Sequence, residues 1–246
     1  MKYLLGPTGR SELAAFVRPG TLIALDYDGT LAPIVGRPDE ATMAGHTREL
    51  LARVARRFPT VILTGRSRID ALRLLGGISV LEVIGSHGLE TPGGTAARFL
   101  GRVGQWRARL AERLRTLSGV AIEDKRYSLA VHYRHAPDPA AAQEQIEQVA
   151  ALLEGARILG GKAVINVVPQ EAPHKGAALL AACARLGCRR ALYVGDDETD
   201  EDVFALRQPE RLFAVRVGES AGSAAPYFLR DQSEMDQLLE AILGAR

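Results

Sequence analysis

Short apolar runs alternate along the chain with longer stretches whose apolar residues recur every three or four positions. TLIAL, TVILT, VLEVIG, ALYVG and LFAVRV read as strands, being short and apolar nearly throughout. Residues 44–57, 67–75, 175–187, 199–207 and 233–243 read as helices. Strands that alternate with helices predict right-handed crossovers and an α/β fold with a mostly parallel sheet. Fully buried parallel strands are apolar on both faces, as TLIAL and ALYV nearly are.

The pattern changes between about Thr91 and Pro169. Phe99, Val103, Trp106, Leu110, Leu114 and Leu117 mark a helix over roughly 97–117. Strands VAIED and SLAVHYR follow, then a helix near 138–154, then strands ARIL and AVINVV. This order predicts an antiparallel α+β layer over residues 91–172, inserted into a core made from residues 1–90 and 173–246. Gly93-Gly94 and Pro169–Pro173 are the expected hinges.

Composition narrows the function. Net charge is +2 over 246 residues, so the molecule as a whole is not a polyanion binder. Arg98, Arg102, Arg107, Arg109, Arg113 and Arg115 make the 97–117 helix basic, but no aromatic residues interleave them. A solvated helix face is the expectation, not a nucleic-acid site. No apolar run approaches the roughly 18 residues of a membrane span, and a cytoplasmic protein is expected. Cys183 and Cys188 form neither a CxxC motif nor a disulfide framework and read as small residues of an apolar core.

Four features carry chemistry. Asp26 and Asp28 end the run TLIAL, where ligands of open α/β sheets bind. Thr64-Gly65-Arg66 follows TVIL, His174-Lys175-Gly176 opens a helix, and Gly195–Asp202 (GDDETDED) follows ALYV. Each has an innocent reading. Thr64 taken alone is a cap and Lys175 a surface lysine, while Thr199 with Asp202 looks like a capping box. The order DxDGT, TGR, KG, GDD is harder to obtain by chance.

In that order the four segments resemble the haloacid dehalogenase (HAD) superfamily of phosphoryl-transfer enzymes. DYDGTLAPI, GSHGLE, EDKRYSLAVHYR and GDDETDEDVF are more narrowly similar to trehalose-6-phosphate phosphatases, over roughly residues 20–243. The resemblance implies a Rossmann-like HAD core with an inserted cap, and Mg²⁺ as cofactor. It implies Asp26 as nucleophile, Asp28 as acid and base, and Thr64 and Lys175 as holders of the phosphoryl oxygens. Asp26, Asp196 and the Asp28 carbonyl would hold the ion, with Asp197 and Asp200 orienting its waters. Oxygen ligands suit that ion, which keeps several waters.

The insert is expected to choose the substrate. Alternation places Ser128, Ala130, His132 and Arg134 on one strand face and Leu129, Val131 and Tyr133 on the other. An ordinary sheet with its polar side in water fits that pattern equally well. The resemblance implies sugar contacts from Glu123, Lys125, His132 and Arg134, with Gly65, Arg66, His87 and Glu90 also on the substrate. One departure stands out: Asn166 and Val168 occupy places where the family has a glutamate and an arginine. That departure could relax or change sugar recognition; the resemblance still implies trehalose 6-phosphate as the leading substrate, and a monomer is expected. Sucrose phosphate and mannosyl-phosphoglycerate are the rivals, and a catalytically silent sugar-phosphate-binding module is the alternative from another class.

Overall fold

The computed structural model describes residues 1–36, 40–94, 96–161 and 163–245. In chain order the elements are β1 (Lys2–Tyr3), α1 (Pro7–Phe16), β2 (Leu22–Leu25), α2 (Gly45–Arg57), β3 (Thr60–Leu63), α3 (Arg68–Leu75) and β4 (Glu82–Ile84). There follow α4 (Leu100–Arg113), β5 (Ala121–Asp124), β6 (Leu129–His132), α5 (Pro139–Ala150), β7 (Ala156–Gly161) and β8 (Val164–Pro169). The chain closes with α6 (Lys175–Arg185), β9 (Ala191–Gly195), α7 (Glu201–Phe204), β10 (Leu212–Val217), β11 (Tyr227–Leu229) and α8 (Met235–Gly244).

Two compact units result, Met1–Pro92 with His174–Arg246, and Gly93–Pro173. The first holds a sheet of order β1-β11-β10-β9-β2-β3-β4, in which every neighbouring pair is parallel. Successive side chains of β2 point to opposite faces. Ile23 and Leu25 join a cluster with Leu50 of α2 and Leu238 of α8, while Leu22 and Ala24 pack with Leu179 of α6 and Val203 of α7. All four are fully buried, and burying one leucine or isoleucine contributes about 1.5–3 kcal/mol. The strand is thus fixed from both sides, and Asp26 follows at once at its carboxyl end. This two-sided burial is that of an α/β core built on a parallel sheet.

The second unit has its own sheet, β5-β6-β8-β7, antiparallel throughout. Leu129, Val131, Ile165 and Val167 share one face, and all four are buried. Glu123, Ala130 and Asn166 lie opposite one another on the other face. α5 begins where Asp138 accepts hydrogen bonds from the N–H groups of Ala140 and Ala141, with Pro139 at the first helical position.

Several expected elements change. The helix expected over 97–117 is a 3₁₀ turn, Ala96–Phe99, followed by α4, which ends at Arg113. The helix expected over 199–207 is a 3₁₀ turn, Glu198–Asp200, and the one-turn α7. Its capping box is formed by Asp197 and Asp200, not by Thr199 and Asp202. Asp197, two residues after the strand, reaches the turn's N–H groups sooner than Thr199 does. α1, β1 and β11 have no counterpart in the apolar pattern. Cys183 and Cys188 are half-buried and unbridged. No described helix is long and apolar enough to cross a membrane.

Candidate active site

Three carboxylates and one ammonium meet at the carboxyl ends of β2 and β9. Asp26 extends β2, and its N–H donates to the Val194 carbonyl of β9 at 2.9 Å. Lys175 opens α6, which His174 caps by accepting the Ala177 N–H. The Lys175 Nζ donates to Asp200 Oδ1 at 2.6 Å and lies 3.3 Å from Asp26 Oδ2. Asp26, Asp196 and Asp200 each offer an oxygen within 4.8 Å of the others. The Lys175 side chain is 1% exposed and that of Asp200 0%.

Asp200 is held from every side. Its Oδ1 also accepts the Tyr193 hydroxyl at 2.5 Å, and its Oδ2 accepts the Asp197 N–H at 2.8 Å. Burial alone would lower the pKa of the ammonium, but Asp200 and Asp26 outweigh it and raise the Lys175 pKa above its ordinary value. Burial also raises the Tyr193 pKa, with Asp200 adding to it. One ammonium is thus shared unequally, and a negative charge on Asp26 is the less well compensated. Burial drives the Asp26 carboxyl well above its usual range; Lys175 opposes this, while Asp200, Asp196 and Asp28 add to it. Its Oδ1 is buried and accepts no hydrogen bond from the described residues.

These facts fit a hard cation. Three buried carboxylates face one ammonium, and the donor atoms are all oxygens, the set that Mg²⁺ takes. Gly29 keeps the space open. Its φ is +76°, and a Cβ there would fall 2.2 Å from Asp196 Oδ2.

Asp28 has a different environment. Arg66 forks its carboxylate, Nε to Oδ2 and Nη2 to Oδ1, both at 2.6 Å. The guanidinium also lies over the Tyr27 ring, 5.5 Å from its centroid. Planar, two-point pairing of this kind is strong and directional. Thr64 is buried; its Oγ1 accepts the Arg66 N–H at 3.2 Å and its carbonyl accepts the His87 N–H at 3.0 Å. A Cβ on Gly65 would fall 2.5 Å from the His87 ring. Ser86 and His87 both have positive φ, 48° and 57°. Glu90 braces this loop, accepting from the Ser86 hydroxyl and from the Arg68 N–H.

The structure therefore brings Asp26, Asp196, Asp200 and Lys175 together, sets Asp197 in the cap of the same turn, and pairs Asp28 with Arg66. It places Thr64, Gly65, His87 and Glu90 on adjoining loops of the same unit. Glu123, Lys125, His132 and Arg134 belong to the other unit. There, His132 Nε2 and Glu123 Oε2 lie 2.8 Å apart across β5 and β6.

Two residues of the first unit escape a reading of motifs. Tyr193 is fully buried inside β9, and a buried phenol needs a partner, which Asp200 provides. Arg216 interrupts the apolar run LFAVRV, and a charge inside a strand needs a reason.

Comparison with known proteins agrees with this arrangement. The model of the family described as trehalose-phosphatase matches residues 24–233. Trehalose-phosphate phosphatase B of Arabidopsis thaliana is 32% identical over 245 residues, covering 89% of this chain and 65% of that protein. Trehalose 6-phosphate phosphatase RA3 of Zea mays is 31% identical over 263 residues, covering 95% of this chain and 73% of that protein. The chain spans about two thirds of the length of the curated relatives it matches. Among solved structures, a trehalose-6-phosphate phosphatase related protein superposes with a TM-score of 0.76 at 27% identity, covering 91% of this chain and 98% of that one. The C-terminal domain of a C. albicans trehalose-6-phosphate phosphatase superposes with a TM-score of 0.82 over 100% of this chain and 98% of that one, and at 23% identity it speaks for the fold.

Proposed function

The chain belongs to the trehalose-phosphatase family, and on that premise we propose that it hydrolyses trehalose 6-phosphate to trehalose and phosphate, with Mg²⁺ as cofactor. The observation that carries the reading is the buried Asp26, placed beside Lys175 with one oxygen unengaged by the described residues.

Asp26 attacks the phosphorus of the substrate. The bond from phosphorus to the sugar oxygen breaks, and the departing oxygen takes a proton from Asp28. Water then attacks the phosphorus of the aspartyl-phosphate and gives its proton to Asp28. Phosphate leaves and the Asp26 carboxylate is restored. Lys175 and Thr64 hold the phosphoryl oxygens as charge moves between them. Asp200 fixes Lys175 for that task through the 2.6 Å contact. Arg66 holds both oxygens of Asp28, so proton transfer requires one of those bonds to be exchanged for a contact with substrate or water.

Asp26, Asp196 and the carbonyl of Asp28 would hold the ion, with Asp197 and Asp200 ordering its waters. Bound there, Mg²⁺ supplies positive charge against the clustered carboxylates and the phosphate.

We assign residues 1–90 and 173–246 to catalysis and 91–172 to substrate choice. Glu123, Lys125, His132 and Arg134 offer the charged groups that read sugar hydroxyls. Gly65, Arg66 and His87 stand beside Thr64, and Glu90 contributes by bracing the loop that carries His87. The same reading makes the protein a cytoplasmic monomer without a nucleic-acid partner.

A phosphatase of another sugar phosphate is the second reading, favoured by Asn166, which lies beside Ala130 on the face that carries Glu123. Phosphate release from trehalose 6-phosphate, sucrose 6-phosphate, mannosyl-phosphoglycerate and glucose 6-phosphate, with Mg²⁺ and with a chelator, decides. Trehalose 6-phosphate is expected to lead in kcat/KM by about tenfold or more, and the chelator to abolish turnover. Equal rates for trehalose 6-phosphate and glucose 6-phosphate defeat the substrate assignment and leave the reaction class standing. No turnover of any sugar phosphate leaves a silent binding module.

A further inference from the structure

We propose that Arg216 is a positioning residue that sets the acidic loop for Mg²⁺, an inference that rests on reading the acidic cluster as the Mg²⁺ site. Arg216 lies on β10, directly opposite Gly195, the residue before Asp196. Its Nη2 donates to the Asp196 carbonyl at 2.7 Å, and its Nη1 to the Asp197 carbonyl at 3.3 Å. Nη1 also donates to Glu201 Oε1 at 2.9 Å. Glu201 Oε2 in turn accepts the Ala224 N–H at 2.9 Å.

A single guanidinium therefore holds two consecutive peptide planes, those that follow Asp196 and Asp197. Fixing these planes fixes the direction in which each aspartate side chain leaves the backbone. Groups behind metal ligands commonly act in this way, and losing one costs about 10–100-fold in metal affinity. Only arginine does it here, because its planar fork reaches two carbonyls and a carboxylate at once, whereas a lysine is a point charge.

Arg216 is not placed to hold phosphate. Both terminal nitrogens already donate to protein oxygens, and its side chain is 15% exposed. Its charge is met by Glu201, so its effect on the loop is geometric more than coulombic. Substitution should therefore weaken the ion and leave the sugar phosphate's KM alone.

The test uses the full chain and titrates Mg²⁺ alone by calorimetry, followed by kinetics on trehalose 6-phosphate across Mg²⁺ concentrations. Arg216→Gln is expected to weaken Mg²⁺ binding by about tenfold or more. At saturating Mg²⁺ its kcat should return toward wild type, with KM within about twofold, because the change removes ion binding and not transition-state contacts. Arg216→Lys should recover part of the Mg²⁺ affinity and not all of it. A folded Arg216→Gln with unchanged Mg²⁺ affinity overturns the proposal, as does full recovery by lysine. If the glutamine variant does not fold, Arg216→Lys alone is read, and a several-fold loss of Mg²⁺ affinity is expected against no change as the overturning result. Failure of the wild type to bind Mg²⁺ removes the metal site itself, and the role of Arg216 with it.

Discussion

Two polar clusters of the molecule have very different surroundings. At the ends of β2 and β9, Lys175 meets Asp26 and Asp200 with side chains 1%, 6% and 0% exposed. In the inserted unit, His132 meets Glu123 with side chains 35% and 40% exposed. The contact distances are similar, 2.6 Å for Lys175 with Asp200 and 2.8 Å for His132 with Glu123. Distance therefore does not separate them; solvent does. An exposed pair is worth about 0–1 kcal/mol, because water replaces either partner at little cost. Removing one partner from a buried cluster leaves a charge with nothing to answer it, at about 3–5 kcal/mol. A change at the buried cluster is therefore felt by the fold, while the half-exposed pair can change at little cost to it.

The sharpest break comes at Asp26. Asp26→Asn is expected to lower Mg²⁺-dependent phosphate release by at least about a thousandfold, since an amide does not form the aspartyl-phosphate. Substantial residual turnover removes Asp26 as the nucleophile. The same change should stabilise the metal-free protein. Burial raises the Asp26 carboxyl pKa above its ordinary value of 3.8. A group with a raised folded-state pKa helps folding while protonated, and that help is lost as pH rises through the folded-state value. The variant should therefore melt higher than wild type at neutral pH in chelator, by about 2–4 °C for each kcal/mol relieved. The gap should close as the pH falls toward the ordinary carboxylate range. A gap that does not vary with pH would mean that Asp26 carries no surplus charge.

Lys175→Met takes away the one ammonium among the described residues that reaches the buried acids. Asp26 and Asp200 then face each other without it. Stability should fall by about 3–5 kcal/mol, read from the chemical denaturation midpoint in chelator. Phosphate release should fall by about a hundredfold or more, because the phosphoryl oxygens lose a fixed donor. Restoring most of the stability with Asp26→Asn on top of Lys175→Met would show that the two charges are coupled. Independent, additive effects would contradict the shared ammonium.

Much of the buried cluster is legible in sequence because its signals are local. TLIAL and ALYV are apolar enough to be read as buried strands, and an acid directly after such a strand stands out. Their partners are less visible. Arg66 meets Asp28 across 38 positions, and Arg216 meets the Asp196 carbonyl across 20. No spacing rule joins residues that distant; the parallel sheet brings them side by side. Tyr193 left a trace as the one polar group inside ALYVG, and only the position of Asp200 explains it. α1 left almost none, because only Gly9 and Leu13 of it are buried, too few to form a stripe. In the insert, Leu129, Val131 and Tyr133 are buried as the alternation in SLAVHYR expects, but Ser128 and Ala130 of the opposite face are buried too, and only His132 and Arg134 of that face reach solvent. The same alternation is silent on purpose, since a polar face in water and a polar face for a sugar look alike.

That ambiguity is what the exposed pair can settle. Glu123→Gln keeps the shape of the side chain and removes its charge. Stability should change by less than about 0.5 kcal/mol, as expected for a surface substitution. If Glu123 reads sugar hydroxyls, KM for trehalose 6-phosphate should rise by about 3–10-fold, the size of one weakened polar contact. Turnover of p-nitrophenyl phosphate, which has no sugar, should stay as it was. Loss with both substrates would tie the pair to the catalytic machinery and erase the contrast between the two clusters. Loss with neither would make Glu123 and His132 a solvated pair, and the choice of sugar would then rest on other residues of the unit, with Asn166 the first to exchange.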